Sequence, residues 1–164
     1  MKSLKDEFLE IISAYQGILH KVNYIYFQNI SDREDNFQEI IYQLWKSFDS
    51  FNQQSSLSTW MYRVAMNVAI CHLKVSRRKI ATVPMEEQFL QLHETGHHDL
   101  EEKIQVLRRH IENLDLLEKG IVMLYLEGKS HEEIAQIVGI STSNVGTKLS
   151  RIKEKLKKQI IKIT

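Results

Sequence analysis

The 29 residues from Ser130 to Lys158, SHEEIAQIVGISTSNVGTKLSRIKEKLKK, constrain the fold more than any other stretch of the chain. Ser130 has the side chain of a helix N-cap, and Glu132 and Glu133 follow in the first turn, where the helix dipole favours negative charge. Glu133 stands three residues after Ser130, which completes a capping box. Ile134, Ala135 and Val138 form one apolar stripe, and Gly139 is the residue that ends a helix most cheaply, because it tolerates positive φ. Ile140 fills the turn and Ser141 caps a second helix. In that helix Val145, Leu149, Ile152 and Leu156 repeat at spacings of four, three and four residues, the period of a buried face. Asn144, Thr147, Lys148, Arg151, Lys155 and Lys158 occupy the other side.

The pattern is a helix-turn-helix. Its second helix opens on the short hydrogen-bonding residues Thr142, Ser143 and Asn144 and then becomes basic, with seven Lys/Arg against one acid, Glu154, between Ser141 and Thr164. Polar residues at the start of such a helix can meet base edges in the major groove while lysines and arginines hold phosphates. The same pattern also suits an amphipathic hairpin with a merely solvated charged face. The one-sided basic excess favours nucleic acid.

Elsewhere, the distribution of charge says more than its sum. The formal net charge is only +1, but residues 32–49 carry five acids against Arg33 and Lys46, a balance of −3. Residues 71–80 carry Lys74, Arg77, Arg78 and Lys79 with no acid, a balance of +4. A chain acidic in one helix and basic in two separated patches suggests two kinds of partner. Hydrophobic content of 43% and charge of 26% suit a packed soluble chain. The single cysteine, Cys71, excludes an internal disulfide or a cysteine-based zinc site, and its apolar neighbours suggest a small core residue. With no signal peptide and no run of membrane-spanning length, the expected location is the cytoplasm, without membrane insertion.

In the first half, Phe8, Ile11, Ile12, Tyr15, Leu19 and Val22 follow the helical period. After a break at Asn29-Ile30-Ser31, Ser31 or Asp32 should cap a second helix that buries Phe37, Ile40, Ile41, Leu44 and Phe48. Asp35, Gln38, Glu39, Gln43 and Lys46 then face outward. Residues 49–59 read as a polar loop holding Phe51 and Leu57, and a long helix follows from about Leu57. Its stripe is Trp60, Met61, Val64, Ala65, Val68 and Leu73, with Tyr62, Arg63, Asn67 and His72 interleaved and a basic end. Aromatic rings among cations suit single-stranded nucleic acid, on which bases stack while cations follow the backbone. Core aromatics with a dipole-complementing helix end explain the same residues.

Residues 81–99 contain the only proline, Pro84, and read as a flexible linker. His93, His97 and His98 lie there, but no second ligand cluster supports a metal site, and no metal or cofactor is expected. Beyond it, Leu100, Ile104, Leu107, Ile111 and Leu114 predict one helix, and Leu117, Ile121, Leu124 and Tyr125 another, ended by Gly128. The chain is therefore expected to be all-α, with two small helical domains at 1–80 and 100–164. No phosphate loop, nucleophile elbow, HExxH or paired carboxylate motif is present, so no enzymatic role is expected.

Two blocks resemble the sigma-70 family of bacterial RNA polymerase sigma factors in its compact extracytoplasmic-function (ECF) form. Asp32-Arg33-Glu34-Asp35-Asn36-Phe37-Gln38-Glu39 through Leu44-Trp45, with Phe48-Asp49-Ser50-Phe51 and Ser58-Thr59-Trp60-Met61-Tyr62-Arg63-Val64-Ala65-Met66-Asn67, is similar to region 2. Leu114 to Leu156 is similar to region 4, the helix-turn-helix. The resemblance implies that Asp35, Gln38, Glu39, Gln43 and Lys46 dock on core RNA polymerase. It implies that Phe51, Val64 and Asn67 form a pocket for a base flipped from the melted minus-ten strand of promoter DNA, with Arg63, Lys74, Arg77 and Arg78 on the backbone. It implies that Ser143, Asn144, Thr147, Lys148 and Arg151 meet the duplex minus-thirty-five element, with Lys153 and Lys155 nearer phosphates. An anti-sigma factor would be a further partner.

Met61 and Met66 are mild changes from the family pattern, and two positions depart from it further. Asp115 stands where proline often follows the leucine, and Gly146 replaces a basic residue inside the recognition helix, at roughly 1 kcal/mol relative to alanine. The competing reading is a dimeric helix-turn-helix regulator that binds operators and uses residues 1–80 to dimerise or sense. Such a domain needs neither the acidic strip nor the aromatic-basic helix.

Overall fold

The computed structural model describes residues 1–80 and 98–161, without the side chains of residues 77–80 and 98–99. All regular structure among the described residues is helical: α1 Leu4–Tyr26, α2 Ile30–Phe48, α3 Leu57–Ile80, α4 His98–Glu112, α5 Leu116–Leu126, α6 His131–Val138 and α7 Thr142–Ile161. This is the all-α fold expected. His93 and His97 lie outside the described residues, as does most of the linker.

Short polar residues set most helix starts. Ser3 and Asp6 form a capping box on α1, and Ser56 Oγ accepts from Thr59 N at 3.2 Å at the start of α3. The cap of α2 is a correction. Asn29, in extended conformation, accepts from Asp32 N at 3.0 Å, so the cap stands two or three residues before the expected Ser31 or Asp32. Arg33 Nε then donates to the carbonyl of Phe27 at 2.7 Å, tying the new helix back to the end of α1. Asp115, in the place of the family's proline, caps α5: its carboxylate accepts from Glu118 N at 2.8 Å, and Glu118 returns the bond. The departure keeps a helix start by other chemistry.

Helices α1, α2 and α3 pack on one another around Leu19, Val22, Ile40, Leu44, Met61 and Ala65, all fully buried. Between α1 and α2 lie two buried amides, with Asn36 Nδ2 donating to Asn23 Oδ1 at 2.6 Å. In the second half α5, α6 and α7 surround Ile121, Leu124, Ile134 and Val145, and α4 lies along α7. The two halves also touch. Helix α5 packs on α1 and α6 packs on α3, so that one apolar cluster runs through both.

Of the two readings left open for Tyr62, its burial favours the core aromatic, because α3 meets the second half on that side. Three sequence expectations change. Cys71 is exposed rather than core. On α4, Leu100 and Ile104 remain exposed, and on α5 Tyr125 is exposed while Met123 is buried.

Candidate nucleic-acid interface

The helix-turn-helix forms as its sequence dictates. Ser130 Oγ accepts from Glu133 N at 3.2 Å and Glu133 Oε2 accepts from Ser130 N at 2.8 Å. Gly139 adopts φ 78°, the left-handed conformation that ends α6, and Ser141 Oγ accepts from Asn144 N at 3.1 Å to start α7. Val145, Leu149 and Ile152 are buried, which fixes the rotation of α7. Ser143, Asn144, Thr147, Arg151 and Lys155 are then exposed together, with Lys148 half-buried beside them. Lys153 stands apart from this face. Its Nζ donates to Tyr125 Oη at 3.0 Å and lies 4.3 Å from that ring's centre, so α5 already engages it. Gly146 faces the His131 side chain, and a Cβ added there would stand 3.7 Å from Nδ1, an ordinary contact.

In the first half, the residues expected to form a base pocket line two neighbouring depressions rather than one. Phe51 is half-buried and stacks on Trp60 with ring centres 4.7 Å apart, lining a small cavity of about 240 Å³ with Ser50, Asn52, Arg63 and Gln136. Gln53 in this loop has φ 57°, a left-handed conformation that a side-chain-bearing residue rarely adopts. Val64 and Asn67 line instead a groove of about 1050 Å³ between α2 and α3, together with Asp35, Glu39, Gln43, Lys46 and Cys71. Ser50 borders both. Lys74 is exposed further along α3, whereas the side chains of Arg77 and Arg78 lie outside the described residues.

The guanidinium of Arg63, expected on the DNA backbone, points in this structure to the other half. Nη2 and Nε donate to the carbonyl of Gln136 at 2.7 and 3.2 Å. Gln136 belongs to the last turn of α6, whose carbonyls lack helical partners and whose own sequence offers no basic residue.

The outward strip of α2 is exposed at Asp35, Gln38, Glu39 and Lys46, while Gln43 is half-buried and donates to Glu39 Oε1 at 2.9 Å. Sequence reading missed Tyr42, which lies two turns after Asp35 in the middle of this strip and is 56% exposed. Its spacing of seven residues was the available signal. Gly120 was also missed. A Cβ there would collide with Met66 Cε and come within 2.7 Å of Tyr26 Oη, so any larger residue would have to displace these two side-chain ends. No local pattern marks that contact, because both partners come from distant sequence.

Three groups at this junction titrate abnormally. Burial, reinforced by the charge of Asp115, raises Tyr26 well above the usual phenol range, and burial followed by Glu127 raises Tyr62. The hydrogen bond from Lys21 to Glu127, 2.6 Å long, raises the lysine. Among the described residues no cluster of His, Cys, Asp or Glu is placed to hold a metal ion, and no helix is long and apolar enough to cross a membrane.

Comparison with known proteins agrees with this layout. Residues 11–79 match Sigma-70 region 2 and residues 104–156 match Sigma-70, region 4. The chain is 26% identical to the ECF RNA polymerase sigma factor SigW of Bacillus subtilis, over 97% of its own length and 91% of that protein. It is 27% identical to the ECF RNA polymerase sigma-E factor of Haemophilus influenzae, over 95% and 88%. Among solved structures, the fold is similar to that of the sigma factor RpoE in complex with the anti-sigma factor NepR from Bartonella quintana. That likeness has a TM-score of 0.69 at 21% identity and covers 98% of both chains. CnrH in complex with the cytosolic domain of CnrY gives a TM-score of 0.67 at 16% identity, over 96% of this chain and 89% of that one. Region 2 and region 4 thus occur in order along one short chain, on the helices that present the acidic strip and the basic recognition face. The chain belongs to the sigma-70 family, as a sigma factor of the ECF type.

Proposed function

We propose that this protein joins core RNA polymerase and directs it to promoters, reading the minus-thirty-five element as duplex and holding one strand of the melted minus-ten element. The observation that carries the reading is the orientation of α7. Its apolar side is buried, and Ser143, Asn144, Thr147, Arg151 and Lys155 stand exposed on the other, where base edges and phosphates would meet them.

In this reading residues 1–80 act as one domain and residues 100–164 as another. Core polymerase takes the α2 strip of Asp35, Gln38, Glu39, Gln43 and Lys46, with Tyr42 at its centre. Phe51, Val64 and Asn67 receive the flipped base, whose unstacking costs a few kcal/mol that the pocket's contacts offset. Arg63, Lys74, Arg77 and Arg78 follow the strand, and Lys148 and Lys153 supplement the duplex contacts. The role is non-enzymatic and cytoplasmic, and an anti-sigma factor is a partner of the same surfaces.

The test mixes the purified full chain with core RNA polymerase lacking any sigma factor and selects from a partly melted promoter pool. The expected result is a stable complex that enriches DNA with two short elements at fixed spacing. Absence of association with core, together with palindromic duplex binding by the protein alone, would refute it.

A further inference from the structure

A pocket of about 450 Å³ lies between the C-terminal turns of α1 and the N-terminal half of α2, and nothing in the functional reading assigns it. Asn23 contributes to its lining although the residue is only 3% exposed. Its Oδ1 accepts from Asn36 Nδ2 at 2.6 Å, which leaves Asn23 Nδ2 a buried donor without a partner among the described residues. The walls are flat and already in place. His20 stacks on Phe37 with ring centres 4.9 Å apart and 24° between the planes. The Arg33 guanidinium lies 4.3 Å from the centre of the Tyr24 ring, and its Nε bond to the Phe27 carbonyl holds it there. Tyr24 and Ile30 are 66% and 71% exposed at the rim, so an apolar ring seated against them would remove part of both from water.

We propose that this pocket binds a small, neutral, planar heterocycle with a lactam edge, a ring carbonyl beside a ring N–H. A buried N–H without a partner is costly, and a carbonyl oxygen brought to Asn23 Nδ2 removes that cost. Flat rings and a guanidinium plane favour a flat aromatic body over a branched aliphatic one. The ring N–H beside the carbonyl then meets acceptors from the same lining, the Glu34 carboxylate and the Gln38 amide oxygen. Charge narrows the class further. Asp32, Glu34 and Asp35 stand exposed on this part of α2 against Arg33 alone, so a carboxylate or a phosphate-bearing strand is disfavoured and a neutral molecule is not. The volume falls in the range of pockets that hold small organic ligands, and apolar walls with a few placed polar groups are their usual lining. The site shares no residue with the pocket read for a flipped base at Phe51, Val64 and Asn67, and the inference stands whether or not that reading does.

The test uses the full chain labelled with nitrogen-15 and two probes on one ring system. Quinazolin-4-one has the lactam edge, and 4-methoxyquinazoline has neither the carbonyl nor the N–H. Titrations follow the side-chain amide signals of Asn23 and Asn36 and yield a Kd for each probe. The expected result is a saturable shift of the Asn23 signals, with the methoxy compound bound about tenfold more weakly or worse. Asn23→Leu with Asn36→Leu, which exchanges both buried amides for apolar groups, should reduce that preference to less than about twofold. Because two core substitutions could disturb the packing of α1 on α2, Tyr24→Ala at the exposed rim gives a second variant. It should weaken quinazolin-4-one binding about fivefold while the rest of the spectrum stays as it is. Equal affinity of the wild-type chain for the two probes would overturn the proposal, since the pocket would then be an apolar slot without a placed donor. So would the absence of saturable shifts, which would leave the Asn23 amide to a buried water. Shifts produced by a single-stranded thymidine oligomer and not by the free heterocycle would overturn it as well.

Discussion

Tyr26 on α1 and Leu116 at the first turn of α5 are ninety residues apart in sequence, yet the phenol donates to the carbonyl at 2.7 Å inside the protein. The bond requires a protonated hydroxyl. A group whose pKa is raised on folding stabilises the fold fully below its unfolded value, and that contribution is lost as pH climbs past it. Tyr26, Tyr62 and Lys21 are all raised, from ordinary values of 10.0, 10.0 and 10.5, so all three act with the same sign. Stability should hold level through neutral pH and fall above about pH 10. Tyr26→Phe should lose about 1 kcal/mol at pH 8 and show a visibly shallower alkaline decline. Denaturant unfolding of both proteins at pH 8 and pH 10.5 measures it, and equal slopes would refute the assignment to Tyr26.

Gly146 lies inside α7, where an added methyl would make only an ordinary contact with the His131 ring. Gly146→Ala should therefore raise stability by about 1 kcal/mol, seen as a melting temperature roughly 2–4 °C higher. Loss of stability would show that α7 needs glycine for a reason other than space.

Asp115 holds the start of α5 through Glu118 N. Asp115→Ala should cost about 1 kcal/mol, and Asp115→Asn, which keeps an acceptor, should recover most of it. Thermal unfolding of the two variants side by side distinguishes the cap from a general effect of charge.

On α2, Tyr42→Ala combined with Glu39→Lys should reduce association with core polymerase by tenfold or more while leaving the melting temperature within about 2 °C, because both side chains are exposed. Titration of labelled protein into core reads the first quantity. Unchanged affinity would remove the strip from the proposed interface.

On α7, base and phosphate contacts should separate by their salt dependence. Lys155→Ala should weaken binding to all duplexes and lower the salt slope by about one ion, whereas Asn144→Ala should cost about 1–3 kcal/mol only on preferred sequences. Lys153→Ala should do less than either, since Tyr125 already holds that ammonium.

Helices were legible wherever one side of the element alone decides its structure. The box at Ser130, the left-handed Gly139 and the stripe from Val145 to Ile152 are set by neighbours within four residues, and the fold reproduces them. What sequence could not supply is contact between distant helices. Tyr62 could be read as core or as part of an open nucleic-acid face, and Arg63 as a strand contact, because nothing near them in sequence announces α5 and α6. Cys71 looked like core because its helix is apolar, but the groove beside α2 leaves it exposed. The cap at Asn29 was missed for a smaller reason: Asn29, Ser31 and Asp32 could each have capped, and the approach of Arg33 to Phe27 selects the first.

The Asn23–Asn36 pair has a different kind of consequence. One hydrogen bond joins the amides, and Asn23 Nδ2 and Asn36 Oδ1 have no further protein partner. Leucines of similar size would hold α1 against α2 at least as firmly. They would also hold it nearly as well one turn out of place, since apolar surfaces accept many alignments. The two amides accept one. Sliding α1 along α2 would part them and strand two buried polar groups, at about 1–3 kcal/mol each. The pair acts as an alignment key: it adds little to how tightly the helices adhere, and it fixes how far along each other they stop.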